Sequence, residues 1–576
     1  MSTTGKSRSW RVPRRRVRPL AVASLGATLA LGLVACSGGP ASTNAVSGGK
    51  AGTSIEATLA FTLSSGFDPG NASSAVATAV NQHVFEGLVD LDPITREPYN
   101  ALAKSDPTPG ADGLTYTVTL RDGAKFSDGT PVTAEDVAWS FTRVLKPADP
   151  KAPPLMQGFV SFLDSVTAKD AATVEFKLKY PFALFSERIS VIKVVPKAKT
   201  GDAAAAKAFD TAPIGSGPFK VDSASKESGI KLSKNETYNG PRPAKVETMT
   251  WNTTTEASAR VSDLQGGRVQ AIEAVPYLNV DSLKDKYTID VKQAFNQVFL
   301  MFNNAAAPFS DKRVRQALHY AIDKDAVIKT ALNGYGSPAT SYLDEGNKAY
   351  QKAATVYDYN PDKAKALLQE AGVTNLSFRL DTTDNSVVKD VAPLVIEQWK
   401  KVGVNATLNT VPSSAIYGDI VPKDTFRVLM ATGDPSVFGV DTDLLMRWYY
   451  FGETWPGQRY RWSDANRKAM GDLLDKAAQT SDEAARKALW KQALDMVADD
   501  APLYPILHTK VVTAYDPAKL DGFSGASTTG LYSGAPGGPG FAHWGPRPRR
   551  GPVGPLVPGG AGGDAPAPRH EKENPC

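Results

Sequence analysis

Cysteine is almost absent: among 576 residues there are two, Cys36 and Cys576. The chain between them must therefore hold together by its core alone, and no Cys cluster exists for zinc or an iron–sulfur centre. Histidine is nearly as scarce. The five, His83, His319, His508, His543 and His570, are far apart and form no HxxxH or HExxH pair that could hold a catalytic zinc. A GxSxG elbow, a P-loop and a strand-following GxGxxG are missing too. The reading is a protein without enzymatic activity, cofactor or metal. Apolar runs of membrane length are lacking: Leu20–Val34 is uncharged for fifteen residues, short of the roughly 20 that a spanning helix needs. Positive charge is missing from the body of the chain. Removing the seven basic residues of positions 1–35 and the surplus of two in Ala535–Cys576 from the net +5 leaves about −4. That sign excludes a nucleic-acid binder, which needs a basic face to release counterions. What is present is 42% hydrophobic residues, enough for several buried cores and too many for a disordered chain.

The N-terminus reads as an address. Residues 1–19 are polar and basic, and the apolar run that follows fits the h-region of a secretory signal. It closes on Leu33-Val34-Ala35-Cys36, which resembles the lipobox of bacterial lipoproteins. In such signals the Cys is thioether-linked to diacylglycerol and becomes the new N-terminus. The expectation is a signal peptide over 1–35, lipidation of Cys36, and a flexible Gly/Ser-rich tether over 36–52. The mature chain then sits on the extracytoplasmic face of the cell membrane, held by its lipid.

From Ser54 the pattern is α/β, with no internal repeat of 20–50 residues. Ser54–Leu63, Thr115–Arg121 and Thr173–Leu178 read as strands, the last two from period-two alternation. Ala75–Leu88, Asp311–Ile322, Val391–Val402, Asp464–Ala478 and Ser481–Asp500 read as helices. Thr133 is a fitting N-cap for a helix over Ala134–Leu145, with Glu135 and Asp136 in its first turn. Asn360-Pro361 opens another that stops at Gly372. Asp122-Gly123 and Asp128-Gly129 mark turns, and Gly215-Ser216-Gly217-Pro218 a tight connection. Two acidic stretches, Asp381 to Asn385 and Asp441-Thr442-Asp443, have calcium-like composition but lack an EF-hand's Gly and distal Glu, and read as solvated turns.

Four blocks carry a family resemblance: His83-Val84-Phe85-Glu86-Gly87-Leu88-Val89 with Leu120 to Val137; Gly215 to Phe219 with Asn235 to Asn239; Phe302-Asn303-Asn304 with Pro308 to Leu318; and Asn360 to Leu368. In order and spacing, across about residues 53–533, the chain resembles the dipeptide/oligopeptide class of solute-binding lipoproteins that feed ABC importers, solute-binding protein family 5. The resemblance implies a two-lobed, Venus-flytrap fold of the type II periplasmic-binding-protein kind with an extra inserted subdomain. Lobe I would comprise 53–95, 210–295 and 505–533, the inserted subdomain 96–209, and lobe II 296–504, with hinges near 295 and 505. It also implies a monomer that captures a peptide or other small solute and hands it to permease subunits.

The stretch Arg427–Trp462 is the informative one for binding. An apolar strand-like run ends in Gly433-Asp434-Pro435, and Trp448, Tyr449, Tyr450, Trp455 and Tyr460 follow. A carboxylate in a partly dehydrated cleft bonds an ammonium well, and aromatic walls add area and cation–π attraction. The resemblance implies that Asp434 pairs with a ligand's α-ammonium, although the family's Asp-x-x-Asp-Pro pattern is shortened here. Trp448, Tyr449 and Trp455 are candidate wall residues. Asn303 and Asn304, at the crossover into lobe II, complete the candidate set.

Beyond Leu520 to Phe523 the chain departs from the family. Gly and Pro supply 20 of the 42 residues of Ala535–Cys576, so 534–576 is expected to be a disordered tail, such as a read-through or frame-shifted end would give. The readings left open are a non-peptide solute (sugar, nickel chelate, opine), a signalling receptor on the same fold, or a secreted hydrolase or chaperone.

Overall fold

The computed structural model describes residues 54–531, apart from 73, 150–153, 226–228, 521–522 and 529. The lipobox Cys36, the tether and the tail lie outside the described residues. Eleven strands form the main sheet: β1 (Ser54–Leu59), β2 (Phe219–Ser225), β3 (Gly229–Lys234), β4 (Thr248–Thr253), β5 (Ala271–Ile272), β6 (Thr288–Phe302), β7 (Gly336–Pro338), β8 (Ser377–Thr383), β9 (Asn405–Val411), β10 (Val428–Gly433) and β11 (Leu503–Tyr515). Across the sheet they run β9-β8-β10-β6-β11-β5-β1-β4-β3-β2, with β7 paired on β11.

Strands β6 and β11, 15 and 13 residues long, join the two halves of this sheet. They pair antiparallel, Thr288–Gln293 against Lys510–Tyr515 and Gln297–Met301 against Leu503–His508, with a register shift between Gln293 and Gln297. On one side of that bulge β11 pairs with β5, and β5 and β4 flank β1. On the other, β6 pairs with β10, and β8 lies between β10 and β9 in parallel. A bulge bends its strand and sharpens the twist, so the two half-sheets meet at a bend built into their only shared strands. A separate four-stranded sheet holds Thr115–Thr119, Thr173–Leu178 and Leu163–Ala168, and helix Ala134–Leu145 packs on it through the Phe141–Phe176 edge contact at 5.0 Å.

The apolar cores follow these layers. One gathers Ile55, Val80, Phe219, Ile230 and Trp251 around β1, β3 and β4. A second runs without a break from Phe176 of the small sheet to Val298, Trp399 and Leu429 around β6 and β10, and a third joins Leu264, Ile272, Leu283 and Val512 beside β5 and β11.

Local rules place many elements. Thr133 and Asp136 form a reciprocal capping box at the start of Ala134–Leu145, and the Asn360 side chain accepts from Lys363 N at 2.9 Å at the start of Pro361–Glu370. Thr173–Leu178 has the expected bounds, while the Ala75 helix stops at Val84 and the helix read from Val391 starts at Ser386 and tolerates Pro393. Gly123 and Gly129 have φ of +70° and +86°, as their turns require. Gly215 and Gly217 serve a different end: a Cβ would lie 1.9 Å from the Val84 carbonyl oxygen at Gly215 and 2.4 Å from that of His83 at Gly217. The missing side chains let this segment press on the C-terminal end of the Ala75–Val84 helix.

Asp384 is exposed at a bend, as expected of a solvated turn, but the other acids of the two stretches are drawn into ion pairs. Asp381 is fully buried on β8, paired with Arg379 at 2.8 Å and accepting from Asn409 at 2.7 Å, and Thr382 and Thr383 are buried beside it. Asp443, also fully buried, accepts from Arg188 at 2.9 Å and Arg447 at 2.8 Å; Asp441 pairs with Arg188 at 2.6 Å and caps helix Thr442–Tyr450. Burial pushes the Asp443 pKa up, but Arg447 and Arg188 outweigh it and hold the carboxyl below its usual range. The acids look like calcium ligands in composition, but guanidinium groups supply the countercharge, Arg379 and Arg447 from nearby and Arg188 from far along the chain.

Two outcomes follow for stability. Gly215→Ala is expected to cost about 1–3 kcal/mol, read from denaturant midpoints, because backbone rather than a mobile side chain blocks the new methyl. Gly158→Ala, with nothing near its Cβ, is the neutral control, and equal midpoints for the two variants would refute the close-approach reading. His83 sits under Trp251, ring centroids 5.1 Å apart, and burial lowers its pKa to about 4, with backbone carbonyls of Ala79 and Leu531 opposing. The folded pKa lies below the unfolded value, so this stability is complete above pH 6.5 and lost as pH falls toward 4, a loss of about 3 kcal/mol. Unfolding of His83→Gln should show a correspondingly shallower fall over that window; an unchanged slope would contradict it.

Candidate functional site

Strand β10 is apolar along its length and buried between β6 and β8, which fixes where its last residues emerge. Gly433 stands opposite Gln297 at the bulge. A Cβ on Gly433 would meet the Tyr449 hydroxyl at 1.8 Å, so glycine is what lets that phenol lie against the strand end. Asp434 then leaves the sheet as the cap of a single turn, Pro435–Val437. Its Oδ1 accepts from Ser436 N at 3.0 Å and from the Ser436 hydroxyl, and it pairs with no cation among the described residues. Burial raises its pKa; Ser436 and then Arg96 draw it back, and Asp344 adds to the rise. Arg96, held in a left-handed conformation at φ 63°, donates to the Ser436 carbonyl and comes to this turn from a distant part of the chain.

The aromatic residues divide. Tyr449 is buried, 4.7 Å from Trp455 and 5.7 Å from Phe299 between ring centroids. Trp455 also meets Tyr417 at 5.7 Å and carries Arg459 on its face, the guanidinium carbon 4.0 Å from the ring centroid. Trp448 points to the other side, stacked on Phe159 at 5.9 Å and tilted on Phe438 at 5.2 Å. Met156 and Phe438, with Arg96, Lys193 and Gln82, line a small cavity beside the Asp434 turn.

Asp434, Tyr449 and Trp455 therefore come together, with Trp448 one layer away. Asn303 and Asn304 do not join them. They lie at the far end of β6, about six residues or 20 Å along the strand from Gln297. Asn303 donates to Asp424 and to the Phe426 carbonyl; Asn304 Nδ2 donates to the Phe302 and Tyr460 carbonyls, each at 2.9 Å. Their amides are spent on tying loops to the strand end. Sequence reading missed Gln297, Tyr417, Arg96 and Arg459. Only Arg459, four residues after Trp455 and two after the Pro456-Gly457 pair in an aromatic stretch, had a local signal. Among the described residues no cluster of His, Cys, Asp or Glu could hold a metal ion.

A mixed sheet in two halves, joined by two long strands and bearing a carboxylate and aromatic wall at a strand end, defines the type II periplasmic-binding-protein class. Residues 97–456 match the model for bacterial extracellular solute-binding proteins, family 5. The chain belongs to this family, the solute receptors of ABC importers. Among curated relatives it is similar to the glutathione-binding protein GsiB of Escherichia coli K12, 29% identical over 466 residues, which covers 79% of this chain and 89% of the relative. Its fold resembles that of the Helicobacter pylori periplasmic binding protein DppA in complex with the peptide STSA, with TM-score 0.74, 24% identity and coverage of 83% and 96%. It also resembles AgaA of A. tumefaciens in complex with agropinic acid, with TM-score 0.71, 26% identity and coverage of 82% and 94%.

Asn304→Ala should lose stability, by about 1–2 kcal/mol for the freed carbonyls, and leave ligand affinity unchanged. A loss of affinity at full stability would return Asn304 to the site.

Proposed function

We propose that this protein captures a peptide, or a similar amine-bearing solute, through the ligand's α-ammonium on Asp434, and delivers it to an ABC permease without transforming it. It works as a monomer, held to the outer face of the membrane by lipid on Cys36. The observation that carries this reading is Asp434: a partly buried carboxylate at a strand end, bonded by Ser436, influenced by the Arg96 charge, and in no ion pair among the described residues. An ammonium would supply the missing countercharge, and in a dehydrated setting the charge-assisted bond is strong. The names of the relatives support the ligand class: one binds glutathione, and another was solved with a tetrapeptide. The likeness to AgaA keeps an opine-like amine as the second reading.

On this reading lobe I (53–95, 210–295, 505–533) and lobe II (296–504) move about the β6–β11 bulge, with 96–209 riding as the inserted subdomain. The bond from Arg96 to Ser436, the ion pair of Lys348 with Glu97 and the Phe159–Trp448 stack would be made on closing.

The experiment is a titration of the purified protein with peptides and opines by thermal shift and calorimetry. Stabilisation should grow as RT ln(1 + [L]/Kd) and vanish when the ligand's amine is acetylated. Asp434→Asn should weaken binding by about 10- to 100-fold. The ammonium needs ionised Asp434, whose pKa is raised. Affinity should therefore be full near neutral pH and fall as pH drops through that pKa, starting above the usual aspartate value of about 3.9. Unaltered affinity in Asp434→Asn, or binding indifferent to acetylation, would contradict the reading.

A further inference from the structure

Arg96 stands where a glycine would be at ease. It lies in the loop of the hairpin that pairs Val89–Leu91 with Pro98–Asn100. Its φ of 63° is a left-handed conformation that glycine adopts freely and that strains a residue carrying a Cβ. The loop is closed by other groups. The Asp92 carbonyl accepts from Arg96 N at 2.8 Å, Asp92 Oδ1 accepts from Ile94 N at 2.8 Å and Thr95 N at 2.7 Å, and Arg242 pairs with the same carboxylate. The Arg96 side chain takes no part in these bonds. Strain of this kind concentrates at functional sites, where the surrounding structure compensates it.

The side chain reaches across the molecule instead. Its guanidinium donates to the carbonyl of Ser436, 340 positions further on, in the turn Pro435–Val437 that Asp434 caps. Ser436 is buried and is held from two sides: its N–H and hydroxyl donate to Asp434 Oδ1, and its carbonyl accepts from Arg96. The next residue of the hairpin, Glu97, pairs with Lys348, four residues after Asp344, whose charge also bears on Asp434. Both contacts of the hairpin tip therefore land on segments that surround Asp434.

The charged and titratable groups facing Asp434 are few. Arg96 favours its ionised form and Asp344 opposes it. Tyr342 and Tyr449 lie near, and burial pushes both phenols up, so they stay neutral in the acid range. Lys193, which lines the adjoining cavity, is engaged by Asp90, and Lys348 by Glu97.

We propose that Arg96 is a positioning residue of the site: by crossing from the hairpin to the Ser436 carbonyl it fixes the turn that presents Asp434, and its charge keeps that carboxylate ionised for the ligand's ammonium. This rests on the Asp434 reading and deepens it. Arg96 acts through Ser436. A guanidinium bonded to the carboxylate itself would compete with the ligand. Placed on the Ser436 carbonyl, it orders the acid and leaves Oδ2, to which Ser436 does not donate, open to an ammonium.

The test is calorimetry of the purified full-length protein with a series of di- to tetrapeptides, free and N-acetylated, between about pH 4 and pH 8. Arg96→Gly should bind the free peptides about 3- to 10-fold more weakly near neutral pH, the loss of one ordering hydrogen bond. Its affinity should also begin to fall at a higher pH than in the unaltered protein, because removing the positive charge raises the Asp434 carboxyl further. Arg96→Lys, which keeps the charge, should leave the acid limb in place. Without ligand Arg96→Gly should melt no earlier than the unaltered protein, since glycine relieves the strain; should it melt early, Arg96→Gln carries the same test. A part in packing the hairpin alone would leave the acid limb unmoved in the uncharged variants, whatever their affinity, and would overturn the proposal with Asp434 intact. A limb that moves as far in Arg96→Lys would overturn it too. Binding to the unaltered protein that shows no acid limb and ignores acetylation, or no binding at all, would overturn the Asp434 reading and this one with it.

Discussion

Everything at the site depends on the antiparallel pairing of β6 with β11. These two strands belong to both halves of the sheet, so their bulge between Gln293 and Gln297 fixes how the halves bend toward each other. Gln297 is at once the residue after the bulge, the partner of His508 in β11 and the partner of Gly433 in β10. Register in a sheet is strict, since a slip of one residue turns every side chain to the other face. The end of β10, and with it Asp434, is thereby set against the point where the two halves join. In a binding protein that closes about its ligand, a recognition group there reports directly on closure.

Charge bookkeeping elsewhere in the fold makes the site stand out. Glu86 is met by Arg121 at 2.9 Å, Asp443 by Arg188 and Arg447, Asp381 by Arg379, and Asp90 and Asp92 by Lys193 and Arg242. A buried charge left unpaired is expensive, and the fold avoids it with partners both near in sequence, as Arg447 is to Asp443, and far, as Arg188 is. Asp434 shares a different arrangement with Glu273: its carboxylate is met by hydrogen-bond donors rather than by an ion-paired cation. Ser436 bonds the Asp434 carboxylate, and the Arg96 charge lowers its pKa without forming an ion pair.

Much of this was legible in the chain. The caps at Thr133 and Asn360 depend on contacts three residues apart, and they came out as read, Thr133 as part of a reciprocal capping box. The fold class and family rested on blocks whose order is itself a long-range signal. Asp434 stood out because a turn after an apolar run is a local feature. What could not be read was pairing at a distance. Asp441 and Asp443 passed for solvent-facing because nothing near them in sequence announces Arg188, and Asn303 and Asn304 passed for cleft residues because their carbonyl partners arrive from other loops.

A crystal structure of the protein with a bound short peptide tests the central claim most directly. The account predicts the ligand's α-nitrogen within hydrogen-bonding distance of an Asp434 carboxylate oxygen, with the ligand lying along Tyr449 and Trp455. A ligand held instead wholly in the cavity lined by Gln82, Met156 and Lys193, with Asp434 untouched, would contradict it.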